Sequence, residues 1–149
     1  MGQGCLQIEL EQILVEKVRS RKVLRPSLRP IAAWLCSGDA SWNDFVRNLV
    51  IETDPRIHLK YGDPASLSLQ YRREVLNALA ALSKNRQRIW IESSADSLAR
   101  LANSALAPDI ARLILNQDLA TDFRIELLDI VRHGRLVSCV EAAFDIITS

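Results

Sequence analysis

Apolar residues recur along most of this chain at the spacing of a helix face. Near the start Leu6, Leu10, Ile13 and Leu14 mark one face, with Ile8, Val15 and Val18 widening it. Leu28, Ile31, Ala32, Leu35 and Cys36 form the next stripe, with Gly38 just past its end. Trp42, Phe45, Val46, Leu49 and Val50 follow, opened by Ser41 with Asp44 three residues on, a short-armed capping box. Two Asp-Pro steps, Asp54-Pro55 and Asp63-Pro64, each suit the end of one helix and the start of another. They leave Ile57 to Tyr61 room for a turn or two. A longer helix is predicted over Ser68 to Lys84, with Val75, Ala78, Leu79 and Leu82 inward and Gln70, Arg73, Glu74 and Asn77 on a solvated face.

In the second half, Ser93 and Asp96 open a helix carrying Leu98, Leu101, Ala102, Ala105 and Leu106. Pro108 and Asp109 open another with Ile110, Leu113 and Ile114 inward. Phe123, Leu127, Leu128 and Val131 line a helix predicted to end with Gly134 in the left-handed cap position. Ser138 with Glu141 makes a full capping box for a last helix whose inner face is Val140, Ala143, Phe144 and Ile147. The strand period shows only at Arg88 to Glu92. Five residues without a partner strand make no stable sheet, so this stretch is predicted as a connector with Trp90 tucked against the helices.

The outcome is seven or eight helices of about ten to seventeen residues joined by short polar connections. A helix-turn-helix unit of roughly thirty to forty residues recurs. The fold class expected is all-α, a right-handed α-solenoid of HEAT-like helix pairs; the alternative is an irregular multi-helix bundle. Residues 1–25 read as an N-terminal helix and basic connector, and 26–149 as the helical repeat domain.

Composition narrows the function classes. The 149 residues carry 19 basic and 18 acidic side chains, a formal charge of +1, so no global field draws the chain to nucleic acid or an anionic membrane. Its apolar runs fall far short of a membrane span. Three widely spaced cysteines, Cys5, Cys36 and Cys139, point to a reducing compartment, and a cytoplasmic location is the expectation. The start Met-Gly-Gln-Gly-Cys lacks the Ser or Thr that a myristoylation pattern wants at position 6, where Leu6 stands.

Candidate chemistry is sparse. The two histidines, His58 and His133, lie far apart, and His133 beside Gly134 suits a helix C-terminus on dipole grounds alone. No zinc-ligand spacing, nucleophile elbow or phosphate-binding loop is present. Glu126 and Asp129 make an i, i+3 carboxylate pair that reads as solvated surface. No enzyme activity and no cofactor are expected. The one local anomaly is the basic connector, where Arg19, Arg21, Lys22, Arg25 and Arg29 stand without an acid among them. Arg21, Lys22, Arg25 and Arg29 are its candidate phosphate contacts, against the blander reading of a solvated linker. No aromatic residue interleaves with them, so base stacking has no platform, and nucleic acid ranks below protein as a partner.

The wording RPSLRPIAAWLC at 25–36 and ETDPRIHLKYGDPASLSLQYRREVLNAL at 52–79 resembles the helical, HEAT-like region downstream of the nucleotide-binding module in bacterial STAND NTPases of the NACHT type. The stretch Leu98 to Leu136 reads as a further repeat of that kind, and the resemblance covers about three-quarters of the chain. It implies a non-catalytic arm that couples sensing to oligomerisation in signalling or defence. Its partner would be a protein or an NTPase module, in cis or in trans, with self-association where neighbouring repeats are missing. The candidate partner faces are Arg73, Glu74 and Asn77, and Glu126, Asp129 and Arg132. A nucleic-acid-binding solenoid using the basic 19–29 segment is the competing expectation.

Overall fold

The computed structural model describes residues 2–85 and 93–148. Among them eight α-helices follow in order: α1 (Gln3–Leu14), α2 (Arg29–Leu35), α3 (Ser41–Thr53), α4 (Leu69–Lys84), α5 (Ala95–Leu101), α6 (Ala107–Leu115), α7 (Thr121–Gly134) and α8 (Val140–Thr148). Short 3₁₀ turns fill several joints, two of them started by the Asp-Pro steps at Pro55–Leu59 and Pro64–Ser66. The protein is mostly helical, as the apolar periodicity predicts. The strand-like run 88–92 with Trp90 lies outside the described residues.

The largest departure comes after α1. Val15 and Val18 do not prolong the helix, and residues 19–30 are not a plain connector. Val15 turns extended at φ −117° and ψ 143°, and β1 (Val15–Val18) pairs antiparallel with β2 (Arg21–Leu24). Val15 faces Leu24 at the buried base of this ribbon, and the rest of it stays largely in solvent. The turn residues Arg19 and Ser20 have φ of 47° and 66°, both in the left-handed region. Two successive positive φ values give a two-residue loop the twist that antiparallel strands need. β-Branched Val15, Val18 and Val23 favour the extended chain. The base is tied down by the Arg25 amide donating to the Leu14 carbonyl at 2.9 Å.

Leu14, Val15 and Leu24 belong to the same apolar core as the helices. In α3, Val46, Leu49 and Val50 are buried, while Trp42 and Phe45 are half-buried. Its cap sits one residue earlier than expected, on Ala40, whose amide donates to Asn43 Oδ1 at 2.8 Å. Ser68 caps α4 as expected, accepting from the Tyr71 amide at 3.2 Å. The buried side of α4 carries Tyr71, Val75, Leu76 and Leu79.

Toward the C-terminus α5 packs on α7 and α6 on α8. Phe123, Leu127 and Ile130 of α7 are buried there. Three expectations change. α5 ends at Leu101, and Ala105 and Leu106 fall in the 3₁₀ turn Ser104–Leu106, capped by Asn103 Oδ1. Arg135, not Gly134, takes the left-handed cap of α7, at φ 51°. Gly134 has a different reason to be glycine: a Cβ there would collide with the Ala102 Cβ, so α5 and α7 close up only over a bare backbone. Lastly, Val140 and Phe144 of α8 face solvent, as does Ile31 of α2.

Candidate functional site

The basic segment becomes the outer part of the ribbon and one wall of a cleft. Residues Lys17 to Lys22 are all exposed. Lys17 stands directly across from Lys22, and Val18 across from Arg21. Arg21 has no side-chain partner among the described residues, whereas Lys22 Nζ meets Glu11 Oε1 at 2.9 Å. That hydrogen bond and the charges of Glu11 and Glu52 hold the Lys22 ammonium above its ordinary pKa.

Beneath the ribbon lies a cleft of about 690 Å³ lined by Ser20, Arg21, Lys22 and Val23 on one side and Arg29, Glu52, Asp54 and Arg56 on the other. Asp54, which its place before Pro55 marks as a helix cap, is instead a buried carboxylate, its side chain only 3% exposed. Arg56 Nε donates to its Oδ1 at 2.6 Å, and Arg29 Nη2 lies 3.3 Å from Oδ2 without hydrogen-bond alignment. A buried carboxylate clamped by two guanidiniums is fixed in place, because breaking one pair would strand charge out of water. Four cations against two acids therefore line the cleft.

Of the four candidate phosphate contacts, Arg21, Lys22 and Arg29 thus gather at one cleft. Arg25 does not join them; its Nη2 donates to the Gln12 carbonyl at 3.3 Å. Two further cations, Arg56 and Lys17, are not visible as candidates in the sequence. Arg56 follows the Asp-Pro step and reaches the cleft only through the tertiary fold, and Lys17 lies where the apolar period points to helix.

The two polar faces fare differently. Arg73 Nε donates to Asp109 Oδ2 at 2.8 Å, tying α4 to α6, and Glu74 accepts from Gln70 at 3.1 Å. Asn77 is exposed. On α7, Arg132 is exposed and Asp129 half-buried, but Glu126 is buried with an unpartnered Oε2. Burial first, and the Asp129 charge second, push its carboxyl pKa up. Glu126 is therefore an interior group rather than part of a solvated face.

The interior holds a second polar cluster. His58 Nε2 lies 3.0 Å from the Tyr71 hydroxyl, and Cys36 Sγ 3.5 Å from the same oxygen. All three side chains are buried. Desolvation lowers the His58 pKa to about 4 and raises that of Cys36 to about 11. Arg47 lies 5.9 Å from the Tyr71 ring centroid and caps the end of α2, its Nε donating to the Cys36 carbonyl at 2.8 Å. The Tyr71 hydroxyl is thus hydrogen-bonded to His58 at 3.0 Å, and it donates to the Arg47 carbonyl at 3.5 Å. A buried neutral imidazole, thiol and phenol hold three elements together without a charged reactant among them.

His133 Nδ1 meets the Asp129 carbonyl at 2.9 Å, a contact within its own helix. Arg72 is also structural: it is buried and donates to the Leu67, Ala65 and Arg100 carbonyls. Among the described residues no cluster of three or more His, Cys, Asp or Glu is placed to hold a metal, and no helix is long and apolar enough to cross a membrane. Comparisons with protein-family models, curated proteins and solved structures give no match.

Proposed function

We propose that this chain is a non-catalytic helical interaction module, a solenoid-like arm of HEAT-like helix pairs that works by docking on protein. The observation that carries this reading is where large apolar side chains meet water. Leu6, Ile8 and Ile13 on α1 are 44–60% exposed, and Val137, Val140 and Phe144 at the opposite end of the chain are 42–78% exposed. Terminal repeats of a free-standing solenoid carry polar outer faces, so apolar ends are the mark of surfaces covered by a neighbour. The packing of α5 on α7 and α6 on α8 supports the repeat reading over an irregular bundle.

Among the described residues the two histidines serve packing within the arm, His58 against the Tyr71 hydroxyl and His133 against the Asp129 backbone carbonyl. The resemblance to STAND NTPase arms gives the kind of neighbour: an NTPase module or adjoining repeats, in cis or in trans. Without that neighbour, the apolar ends pair with a second copy. Light scattering after size exclusion, from low micromolar to near-millimolar chain, tests this. Association is expected, and Ile8→Glu with Phe144→Glu is expected to abolish it. A strictly monomeric species across the range would refute the proposal.

A further inference from the structure

We propose that the β1–β2 ribbon is a contact for duplex nucleic acid, setting its cationic tip and the adjoining cleft against the phosphate backbone. This goes beyond the protein-docking reading and stands or falls independently of the apolar ends.

Four cations, Lys17, Arg19, Arg21 and Lys22, fall within six exposed residues, and Glu16 is the ribbon's one acid. Their arrangement costs the fold something. Lys17 and Lys22 face each other directly across the strand pair, where like charges repel. Arg19 occupies a left-handed turn position for which Asn or Gly is the favourable residue. Glu11 offsets the charge of Lys22, whereas Lys17, Arg19 and Arg21 have no side-chain partner among the described residues. An anion outside the chain would relieve the repulsion and use the charge at the tip.

The cleft continues the same surface inward. Arg29 and Arg56 are held at its far wall by buried Asp54, and Arg29 Nε is a buried donor with no acceptor among the described residues. Arg21 and Lys22 of the ribbon thus share one cleft with Arg29 and Arg56, whose charges Asp54 partly offsets. A two-stranded ribbon with strands about 4.8 Å apart is narrow enough for a major groove about 12 Å wide. Among the described residues, Val23 and Leu82 are the apolar side chains lining the cleft, with no aromatic ring beside them. The described lining thus offers stacked single strands no platform, and the contact is to the backbone of a duplex without base selection.

The test is fluorescence anisotropy of a labelled mixed-sequence DNA duplex titrated with the full chain at several salt concentrations. Binding is expected at low salt, with log affinity falling steeply against log salt. The triple variant Lys17→Gln, Arg19→Gln, Arg21→Gln should bind roughly tenfold or more weakly, and its salt slope should be shallower by about 2.7, near 0.9 for each phosphate no longer neutralised. Lys84→Gln, one exposed cation removed from α4, should leave the slope unchanged. Circular dichroism and thermal melts verify that each variant is folded. Absence of duplex binding at low salt, a slope unchanged in the triple variant, or binding to phosphatidylserine vesicles in place of duplex would each overturn the proposal.

Discussion

Acidification should unfold this protein earlier than its carboxylates alone would dictate, through His58. The ring is 1% exposed, and desolvation holds its folded pKa at about 4 against an ordinary 6.5. The unfolded chain therefore takes up a proton as pH falls through the ordinary value, while the folded chain resists until near 4. Stability is fully present above the ordinary value and is lost as pH falls toward the folded one. The whole shift corresponds to about 3 kcal/mol, and about 2 kcal/mol is already gone between pH 7 and 5, before most carboxylates titrate.

Equilibrium urea unfolding across that interval measures the loss. His58→Gln, which can still hydrogen-bond Tyr71, should be less pH-sensitive by about 2 kcal/mol. Tyr71→Phe is the sharper control. It removes the hydroxyl shared by His58 and Cys36 and lowers stability by about 1–2 kcal/mol at all pH, yet keeps the His58 effect, because burial rather than the hydrogen bond causes the shift. If wild type and His58→Gln lose the same stability from pH 7 to 5, the reasoning fails.

Other predictions test single contacts. Gly134→Ala should destabilise by about 1–3 kcal/mol in thermal melts, opposite to helix propensity, because the new Cβ and that of Ala102 would overlap and neither has a flexible end to yield. Glu126→Gln should raise the melting temperature above neutral pH. Its folded pKa is raised, so ionising it costs stability as pH rises, and the gain should shrink as pH falls toward the ordinary carboxylate range. Native protein should react rapidly with a thiol reagent at one of its three cysteines, the exposed Cys5, and at all three once denatured. Cys36 and Cys139 are buried, with thiol pKa values raised by desolvation.

Helices are legible in the sequence because each writes its own period: the stripe from Val46 to Val50 and the pair Phe123 and Leu127 need no tertiary information. Val15 and Val18 mislead for the same reason. They extend the Leu10–Leu14 stripe at helical spacing, and the turn that separates the strands, Arg19-Ser20, has no glycine or asparagine to announce it. Gly134 is legible as special but not why, since its constraint comes from Ala102, just past the end of α5. Groups brought together from afar are beyond reach. Cys36, His58 and Tyr71 meet across as many as 35 positions, and Asp54 becomes a buried clamp only when Arg29 and Arg56 close on it. The basic segment is legible as charge; its shape as a ribbon is not.

That ribbon is where local preference and observed structure disagree most, and the disagreement can be measured. Each non-glycine residue held left-handed costs about 1–2 kcal/mol, and Arg19 and Ser20 occupy adjacent such positions. An Asn-Gly turn suits the same backbone. Arg19→Asn with Ser20→Gly should therefore stabilise the protein by about 2 kcal/mol in urea unfolding, while weakening duplex binding by removing the tip charge. Ser20→Gly alone should give about half of that stability and leave binding intact, since it removes strain without removing charge. The pair separates two causes of the same conflict. If the double variant is no more stable than wild type, the turn is not strained; if it is more stable and binds equally well, the arginine at the tip serves no anion.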